Sequence, residues 1–600
     1  MSLVVHRRNI EFLLYEFLRL EELISHPQFG AHDRVAISNI LDAVQSIAET
    51  ELLSTAAELD ANEPEFVEGR AQTPPAAKRA LDACAAAGLF TVGFPAEWGG
   101  LQMPSTMTLL VNGILACANL GIANYHLLTI ASANLLCAFG SDAQKRTFLP
   151  PMLEGRWFGT MCLSEPQAGS SLADIRTHAE SAGDGLYRLV GSKMWISGGD
   201  HELAENIIHM VLAKLPDSPS GVKGISLFIV PKFRIGDNGA RGDWNNISLA
   251  GLNHKMGQRA TTNCLLNFGE KGDCLGSMIG EPNRGLAYMF HMMNEARIGV
   301  GMSSAMSALA GYLFSLGYSR TRLQGRRLRN KDPRSPQVPI IEHTDIKRML
   351  LSQKAAVEGA MALGTYCTML LDRKVLATDA AERTDLELLL ELLTPIAKSW
   401  PAEHCLEANK WAIQVLGGYG YSREYPVERF YRDNRLNHIH EGTFAIQALD
   451  LLGRKVHLNN GRALDLLVAR IRQTIDNSRR LDALGSEVRQ LERAVEALLR
   501  ATRAVQACGD PELALANATL YLDSCGQVVV AWLWLQQAVI ASHALRTAPA
   551  AHDVDFYRGK ISACRYFFRY ELPRSTSSFD LVASLDDTCL AMRESEFLGT

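Results

Sequence analysis

Ile207-Ile-His-Met-Val-Leu-Ala213 and Ile225-Ser-Leu-Phe-Ile-Val230 set the architecture of this chain. Both are short and β-branched, and between them lies Asp217-Ser-Pro-Ser-Gly221, a cluster of turn formers. Tyr187-Arg-Leu-Val190 has the same texture. Runs of this kind, punctuated by Gly, Asp, Asn and Pro, read as strands. The texture holds from residue 158 to about residue 280. It predicts one β module, built as a small barrel or as packed sheets.

On both sides of the module the period changes. Residues 11–24 and 35–59 carry apolar side chains at spacings of three and four, mixed with charge, which is the helical pattern. Helical spacing returns over 286–320, 345–371 and 386–417, then over 463–475, 487–505, 528–545 and 561–570. The chain therefore reads as mostly α with a central β domain. Residues 320–334 hold seven Lys or Arg in fifteen positions. That stretch is either a solvated connector or a surface facing phosphate.

At 600 residues, 47% hydrophobic and 21% charged, the sequence is too apolar for disorder. Its net charge of −5 offers no cationic excess of the kind nucleic acid attracts. The twelve cysteines are scattered without a C-x-x-C pair, which suits a reducing, cytoplasmic setting and argues against a disulfide framework. The first residues lack a signal peptide's apolar core and cleavage site,. The longest apolar run, Val528-Val-Val-Ala-Trp-Leu-Trp-Leu535, falls short of the roughly 20 residues of a membrane span. A soluble protein is expected.

Several chemistries are struck off by their missing motifs: there is no G-x-x-x-x-G-K-[ST], no H-E-x-x-H and no G-x-S-x-G. Gly299-Val-Gly301 lies inside an expected helix with no strand before it, so it reads as close packing rather than dinucleotide binding. His438-Ile-His440 would share a face on a strand, but ordinary hydrogen-bonding histidines are the favoured reading and no metal is expected. Glu441 precedes Gly442-Thr443 and the helical run from Phe444, where it is either a helix-capping carboxylate or something more.

Four stretches favour something more. Leu163-Ser164-Glu165-Pro166-Gln-Ala-Gly169-Ser170 is a turn at the start of the β module. Lys193-Met-Trp195-Ile-Ser197 puts an indole and a hydroxyl on one face of a regular strand,. Gln414-Val-Leu-Gly417-Gly418 ends a helix with glycines that permit close backbone approach,. Arg297 follows Met292-Met-Asn-Glu-Ala. With Gly191 to Gly199, His254-Lys-Met-Gly257, Gly280-Glu-Pro-Asn-Arg-Gly285, Val338-Pro-Ile-Ile-Glu-His343 and Ile439-His-Glu-Gly-Thr443, their order resembles that of the acyl-CoA dehydrogenases across residues 80–455. The likeness is strongest to the long subgroup that includes methylmercaptopropionyl-CoA dehydrogenases and bacterial fatty acyl-CoA dehydrogenases.

The resemblance implies a helical domain, a β-barrel-like domain and a four-helix bundle, with an additional C-terminal helical domain. The corresponding segments are an N-terminal extension at 1–40, a helical domain at 41–160, the β domain at 161–280, the bundle at 281–460 and the added domain at 461–600. It implies FAD lying between the β domain and the bundle, and α,β-dehydrogenation of an acyl-CoA to the trans-2-enoyl-CoA in fatty acid β-oxidation. An α proton leaves to a base, and a hydride passes from the β carbon to flavin N5. Glu441 matches the base. Ala296 occupies the position before Arg297 from which some relatives supply it, and Glu295 is nearly a third of a helix turn away,.

By the same matching, Met161, Leu163, Ser164, Ser170, Trp195 and Ser197 meet the flavin ring. Arg322 and Gln324 reach the partner subunit's FAD, and His343, Gln414, Gly417, Gly418 and Thr443 complete the cofactor set. Ser170, Asn294, Arg297 and Gly442 match the CoA-ester positions. Ser171 and Asn294 stand where many relatives carry Asp. Medium- to long-chain substrates, an electron-transfer flavoprotein as acceptor and a homodimer are expected. The rivals are an acyl-CoA oxidase, which passes electrons to oxygen, and a catalytically silent acyl-CoA-binding protein on the same scaffold.

Overall fold

The computed structural model describes residues 2–599 apart from 31, 237, 238, 330 and 331, and at 291–293 it describes the helical backbone alone. The chain forms two compact units, Leu3–Val5 with Ile24–Ala296 and His6–Leu23 with Arg297–Thr600.

The first unit begins with helices. Arg34–Ile47 is capped by Asp33, whose carboxylate accepts from Ala36 N. Ser105–Phe139 is a 35-residue helix with its apolar positions enclosed, interrupted at Asn119 by a non-helical backbone. A hairpin of Glu65–Val67 and Arg70–Gln72 lies outside the β module expected from sequence. Its strands are three residues each, too short for a two-residue period to register.

The β module contains an eight-stranded sheet. Asn206–Lys214 pairs antiparallel with Ile225–Pro231 and parallel with Trp157–Cys162. From residue 206 to 213, and at every position of Ile225–Pro231, the side chains are buried. That burial on both faces explains why these stretches are unbroken apolar runs rather than alternating ones. Leu186–Ser197 pairs with Leu275–Met278, which pairs with Ile225–Pro231. His178–Gly183 touches both Leu186–Ser197 and Asn206–Lys214 and so completes a ring of strands. The barrel alternative is the one that forms, around Leu189, Val211, Phe228, Val230 and Phe268.

In the second unit, Thr344–Leu376 and Ala380–Leu416 run as long partners, with Gly285–Thr321 entering from residue 297 onward. Gly301 does what the sequence reading assigned to it: a Cβ there would stand 1.8 Å from the Ala397 carbonyl oxygen. Backbone meets backbone at this crossing, which brings Arg297, one turn earlier, toward Lys398. Gly301→Ala is expected to cost stability at or above the top of the overpacking range, about 3 kcal/mol, read as a lower thermal midpoint. An unchanged midpoint would show that the helices part freely.

The added C-terminal helices surround Ala518–Arg546. Its run Val528 to Leu535 is fully enclosed, and Trp534 donates from Nε1 to Ala355 O at 3.0 Å beside Gly359. Ser105–Phe139, Gly285–Thr321 and Ala518–Arg546 are each long and apolar enough to cross a membrane, a point missed when only unbroken apolar runs are counted. In the fold 83%, 83% and 61% of their most apolar windows are buried, so this composition serves protein cores. Among the described residues no disulfide joins any of the twelve cysteines.

Candidate active site

In the first unit, five of the candidate residues fall on one strand and the turn beside it, and Met161 lies on a second strand. Opposite the end of Leu186–Ser197, Ser197 pairs with Asn263 and Ile196 with Cys264, but Lys193 pairs with Leu266. Met194 and Trp195 therefore face the single residue Leu265. This bulge breaks the regular pleat that would place Trp195 and Ser197 on one face, and it re-aims the indole. Trp195 takes φ +64° and stays 60% exposed. Ser197 is fixed by Asn263, which donates to its Oγ at 3.2 Å.

The turn from Leu163 to Ser170 is held by a buried ion pair. Lys193 and Glu165 are 0% and 4% exposed, and Lys193 Nζ donates to Glu165 Oε1 and to Leu163 O, each at 3.0 Å. Met194 N donates to Ser164 O, also at 3.0 Å. Glu165 accepts further from Thr177 Oγ1 at 2.6 Å and Arg176 N at 2.7 Å. Burial opposes its charge, but Lys193 and these donors overcome burial and hold the carboxyl down at about 2. Met161 lies on Trp157–Cys162, and Ser170 is exposed beyond the pinned turn.

In the second unit the chain assembles a second cluster from distant stretches. Gln324 N donates to Val338 O, and Ile340 N to Arg322 O. His343 Nε2 donates to Gln324 O at 2.7 Å. The Arg322 guanidinium lies 5.6 Å from the Tyr419 ring centroid, next to Gly417 and Gly418, which follow Gln414 at the helix end. Gly417 sits at φ +62°, and a Cβ added at Gly417 or Gly418 would meet nothing within 4 Å. Glycine, cation and open space occur together, as a phosphate-bearing cofactor requires. Within the basic stretch Arg327 pairs with Glu342 and Arg334 with Asp332. Lys331 lies outside the described residues.

Glu441 occupies a third cluster. The helix cap is Thr443, whose hydroxyl accepts from Ile446 N, so the capping alternative for Glu441 falls away. Glu441 instead takes φ +54° and Gly442 φ +90°. A non-glycine residue held left-handed costs on the order of 1–3 kcal/mol and persists where neighbours enforce it. The neighbours are Gln447, whose Nε2 donates to Glu441 O at 3.0 Å, and Lys398, whose Nζ donates to Gly442 O at 2.8 Å.

The segment before this turn rests on buried asparagines. His440 pairs with Asn437 at 3.0 Å, Asn437 with Asn434 at 3.1 Å and Asn434 with Asn409 at 2.7 Å. Asn409 in turn donates to Ser307 O. His438 is not on a strand with His440; it closes a short 3-10 turn, pairs with Glu403 at 2.7 Å and stacks on Phe444.

Glu441 is half-buried, and desolvation raises its pKa while Arg297 and Lys398 oppose the rise. Ile439, two residues before Glu441, is 49% exposed. Arg297 is 6% exposed, and Asn294 lies three residues before it on the same helix. Lys398, Glu165, Lys193 and the asparagine chain were not found from sequence. Their only local signal is a polar residue at a position the helical or strand pattern assigns to the interior.

The chain is similar to known proteins along nearly its whole length. Residues 37–156, 160–270 and 283–456 match the N-terminal, middle and C-terminal domains of acyl-CoA dehydrogenase, and 467–593 match the "Acetyl-CoA dehydrogenase C-terminal like" domain. The chain is 35% identical to the 3-methylmercaptopropionyl-CoA dehydrogenase of Ruegeria pomeroyi, over 87% of this chain and 88% of that one. It is 31% identical to a broad-specificity linear acyl-CoA dehydrogenase of Mycobacterium tuberculosis, over 99% of this chain and 100% of the other. An acyl-CoA dehydrogenase of Bacillus anthracis solved with FAD has the same fold, with TM-score 0.70 at 21% identity over 94% of this chain and 90% of its own. The chain belongs to the acyl-CoA dehydrogenase family and is an FAD-dependent oxidoreductase of fatty acid metabolism.

Proposed function

We propose that the protein dehydrogenates medium- to long-chain acyl-CoA thioesters between the α and β carbons, with Glu441 as the base that takes the α proton. The observation that carries this reading is the Glu441–Gly442 turn: a carboxylate in a strained backbone, desolvated and faced by two buried cations. Strain and a raised pKa together are typical of a working group. A base poised above the ordinary carboxylate range is better matched to an acidified carbon acid. The Glu441 N–H would polarise the thioester carbonyl, and Arg297 and Asn294 would hold the CoA ester.

FAD, when bound, supplies the two-electron acceptor for the hydride leaving the β carbon. Trp195, Ser197 and the turn from Leu163 to Ser170 would hold its ring. Arg322 and Gln324 would reach the FAD of a partner subunit, and His343, Gln414, Gly417 and Gly418 would meet the ribityl-phosphate and adenine portions. Exposed apolar side chains at Leu323, Leu328, Tyr419 and Tyr421, 49–90% accessible, border the Arg322 cluster and support a homodimer. An electron-transfer flavoprotein as acceptor and a cytoplasmic setting belong to the same proposal.

Anaerobic titration of the flavin-loaded protein with saturated acyl-CoAs of graded length tests the activity. Bleaching of the flavin is expected, fastest for medium or long chains; a flavin that stays yellow with every chain length sinks the proposal. Slow peroxide formation in air, against rapid turnover with an electron-transfer flavoprotein, is expected of a dehydrogenase. Rapid peroxide formation would make it an oxidase.

The acid limb of turnover gives a further prediction. The base acts deprotonated, so activity rises as pH climbs through its pKa. Because that pKa is raised, the midpoint is expected above the ordinary Glu value of about 4.3. A pH–rate profile already flat at about pH 4.3 would contradict the desolvated base.

A further inference from the structure

Lys398 lies on the Ala380–Leu416 helix, directly after the alanine whose carbonyl meets Gly301. Its side chain is 0% exposed. Enclosing an ammonium is expensive unless something inside the fold uses the charge. It donates to Gly442 O, the carbonyl just after Glu441.

The other charges around this spot are committed elsewhere. Lys455 pairs with Glu391 on the same helix as Lys398, and Arg454 with Asp450 at 2.7 Å. Glu403 pairs with His438, and His404 with Asp523 on Ala518–Arg546. His440, pushed down to about 3 by burial and by Lys398, is neutral. Arg297, on the Gly285–Thr321 helix, feels both Asp450 and Glu441. Lys398 and Arg297 are the cations that act on Glu441.

We propose that Lys398 is a positioning residue for the reaction: its enclosed ammonium pins the strained Glu441–Gly442 turn through the Gly442 carbonyl and, with Arg297, sets the field in which Glu441 takes the α proton. This rests on Glu441 being the base. Two consequences follow from one side chain. Geometrically, the carbonyls on both sides of the turn are tied, by Gln447 before Gly442 and by Lys398 after Glu441. Electrostatically, desolvation alone would raise the Glu441 pKa further, and the ammonium limits the rise,. Lys398 is itself pushed by burial down to about 8, so it carries its charge at neutral pH and loses it above.

The test follows exchange of the α proton for solvent deuterium in an acyl-CoA with sulfur in place of the β carbon, which cannot be dehydrogenated. Exchange is read by mass spectrometry on the flavin-loaded protein from about pH 5 to about pH 9. Lys398→Met is expected to move the midpoint of exchange upward by about one pH unit, so that exchange below both midpoints falls about tenfold. Lys398→Gln keeps an N–H donor for Gly442 O and drops the charge; it is expected to shift the midpoint equally but retain more of the high-pH rate. Midpoints unchanged from the parent in either folded variant overturn the proposal. The parent alone supplies a second measurement, an inflection in exchange near pH 8 as Lys398 is neutralised, and a profile without one in that range overturns it too. Glu441→Gln separates the two failures: exchange that persists in it defeats the base assignment rather than Lys398.

Discussion

Glu441→Gln is expected to keep its yellow colour and lose turnover by about two to four orders of magnitude, the span general-base catalysis contributes. The substitution is nearly isosteric and leaves the backbone N–H at 441 and the hydrogen bond from Gln447 to the 441 carbonyl in place. The candidate cofactor residues on Leu186–Ser197 and around Arg322 are untouched, so flavin loading is expected to match the parent. The measurement is the rate of flavin bleaching by substrate without oxygen. A rate within about tenfold of the parent, less than the smallest usual contribution of a base, would remove Glu441 from the mechanism.

The same variant carries a stability signature of opposite sign. A carboxyl whose folded pKa lies above its unfolded value costs stability as pH rises from the unfolded pKa to the folded one, because the folded state resists ionisation. Gln has no such titration. The thermal midpoint of Glu441→Gln minus that of the parent is therefore expected to grow as pH rises across this window and then level off. A difference that shrinks with rising pH would mean that Arg297 and Lys398 stabilise the charge more than burial penalises it.

Lys193→Met is expected to be the most damaging single change in the β module. It strips the cation from a carboxylate that is 4% exposed, and breaking a buried pair by removing one partner costs on the order of 3–5 kcal/mol. The turn carrying Leu163 and Ser164 loses its anchor, since Lys193 also holds Leu163 O. Lower flavin occupancy and a lower thermal midpoint are expected together. Adding Glu165→Gln to Lys193→Met is expected to recover part of the loss, because no charge is then left unpaired. A double variant no more stable than Lys193→Met would refute the pairing argument.

The pH dependence of this pair has a definite sign. Glu165 is held at about 2 against an ordinary 4.5, so its contribution is present above 4.5 and lost as pH falls toward 2. Glu165→Gln is expected to be less stable than the parent at neutral pH, with the gap closing in that acid window.

Much of this protein was legible one segment at a time. The enclosed strands 206–213 and 225–231 announced themselves as unbroken β-branched runs, because a strand buried on both faces has no reason to alternate. Helices such as Arg34–Ile47 kept the spacing of three and four because one face, Ile37, Leu41 and Val44, is buried, whereas Ala518–Arg546 is enclosed on most sides,. Glu441 and Trp195 were singled out because each sits in a short motif whose residues are adjacent in sequence, and Arg322 by its match to a family position. What the sequence did not show are the partners that make those residues work. Lys193 and Glu165 are 28 positions apart, Lys398 and Gly442 44 positions apart, and no local pattern ties either pair.

The bulge at Trp195 is of the same kind. Nothing within Leu186–Ser197 requires an extra residue there; it is required by the register that Asn263–Phe268 imposes from across the sheet. The sequence by itself determined the order of helices and strands and pointed to the candidate side chains, since periodicity and motif are properties of neighbours along the chain. Only the tertiary structure decided the charge state, strain and aim of those side chains. Burial, ion pairing and hydrogen bonding depend on groups brought close by folding, and their energies are set by distance and solvent rather than by position in the chain.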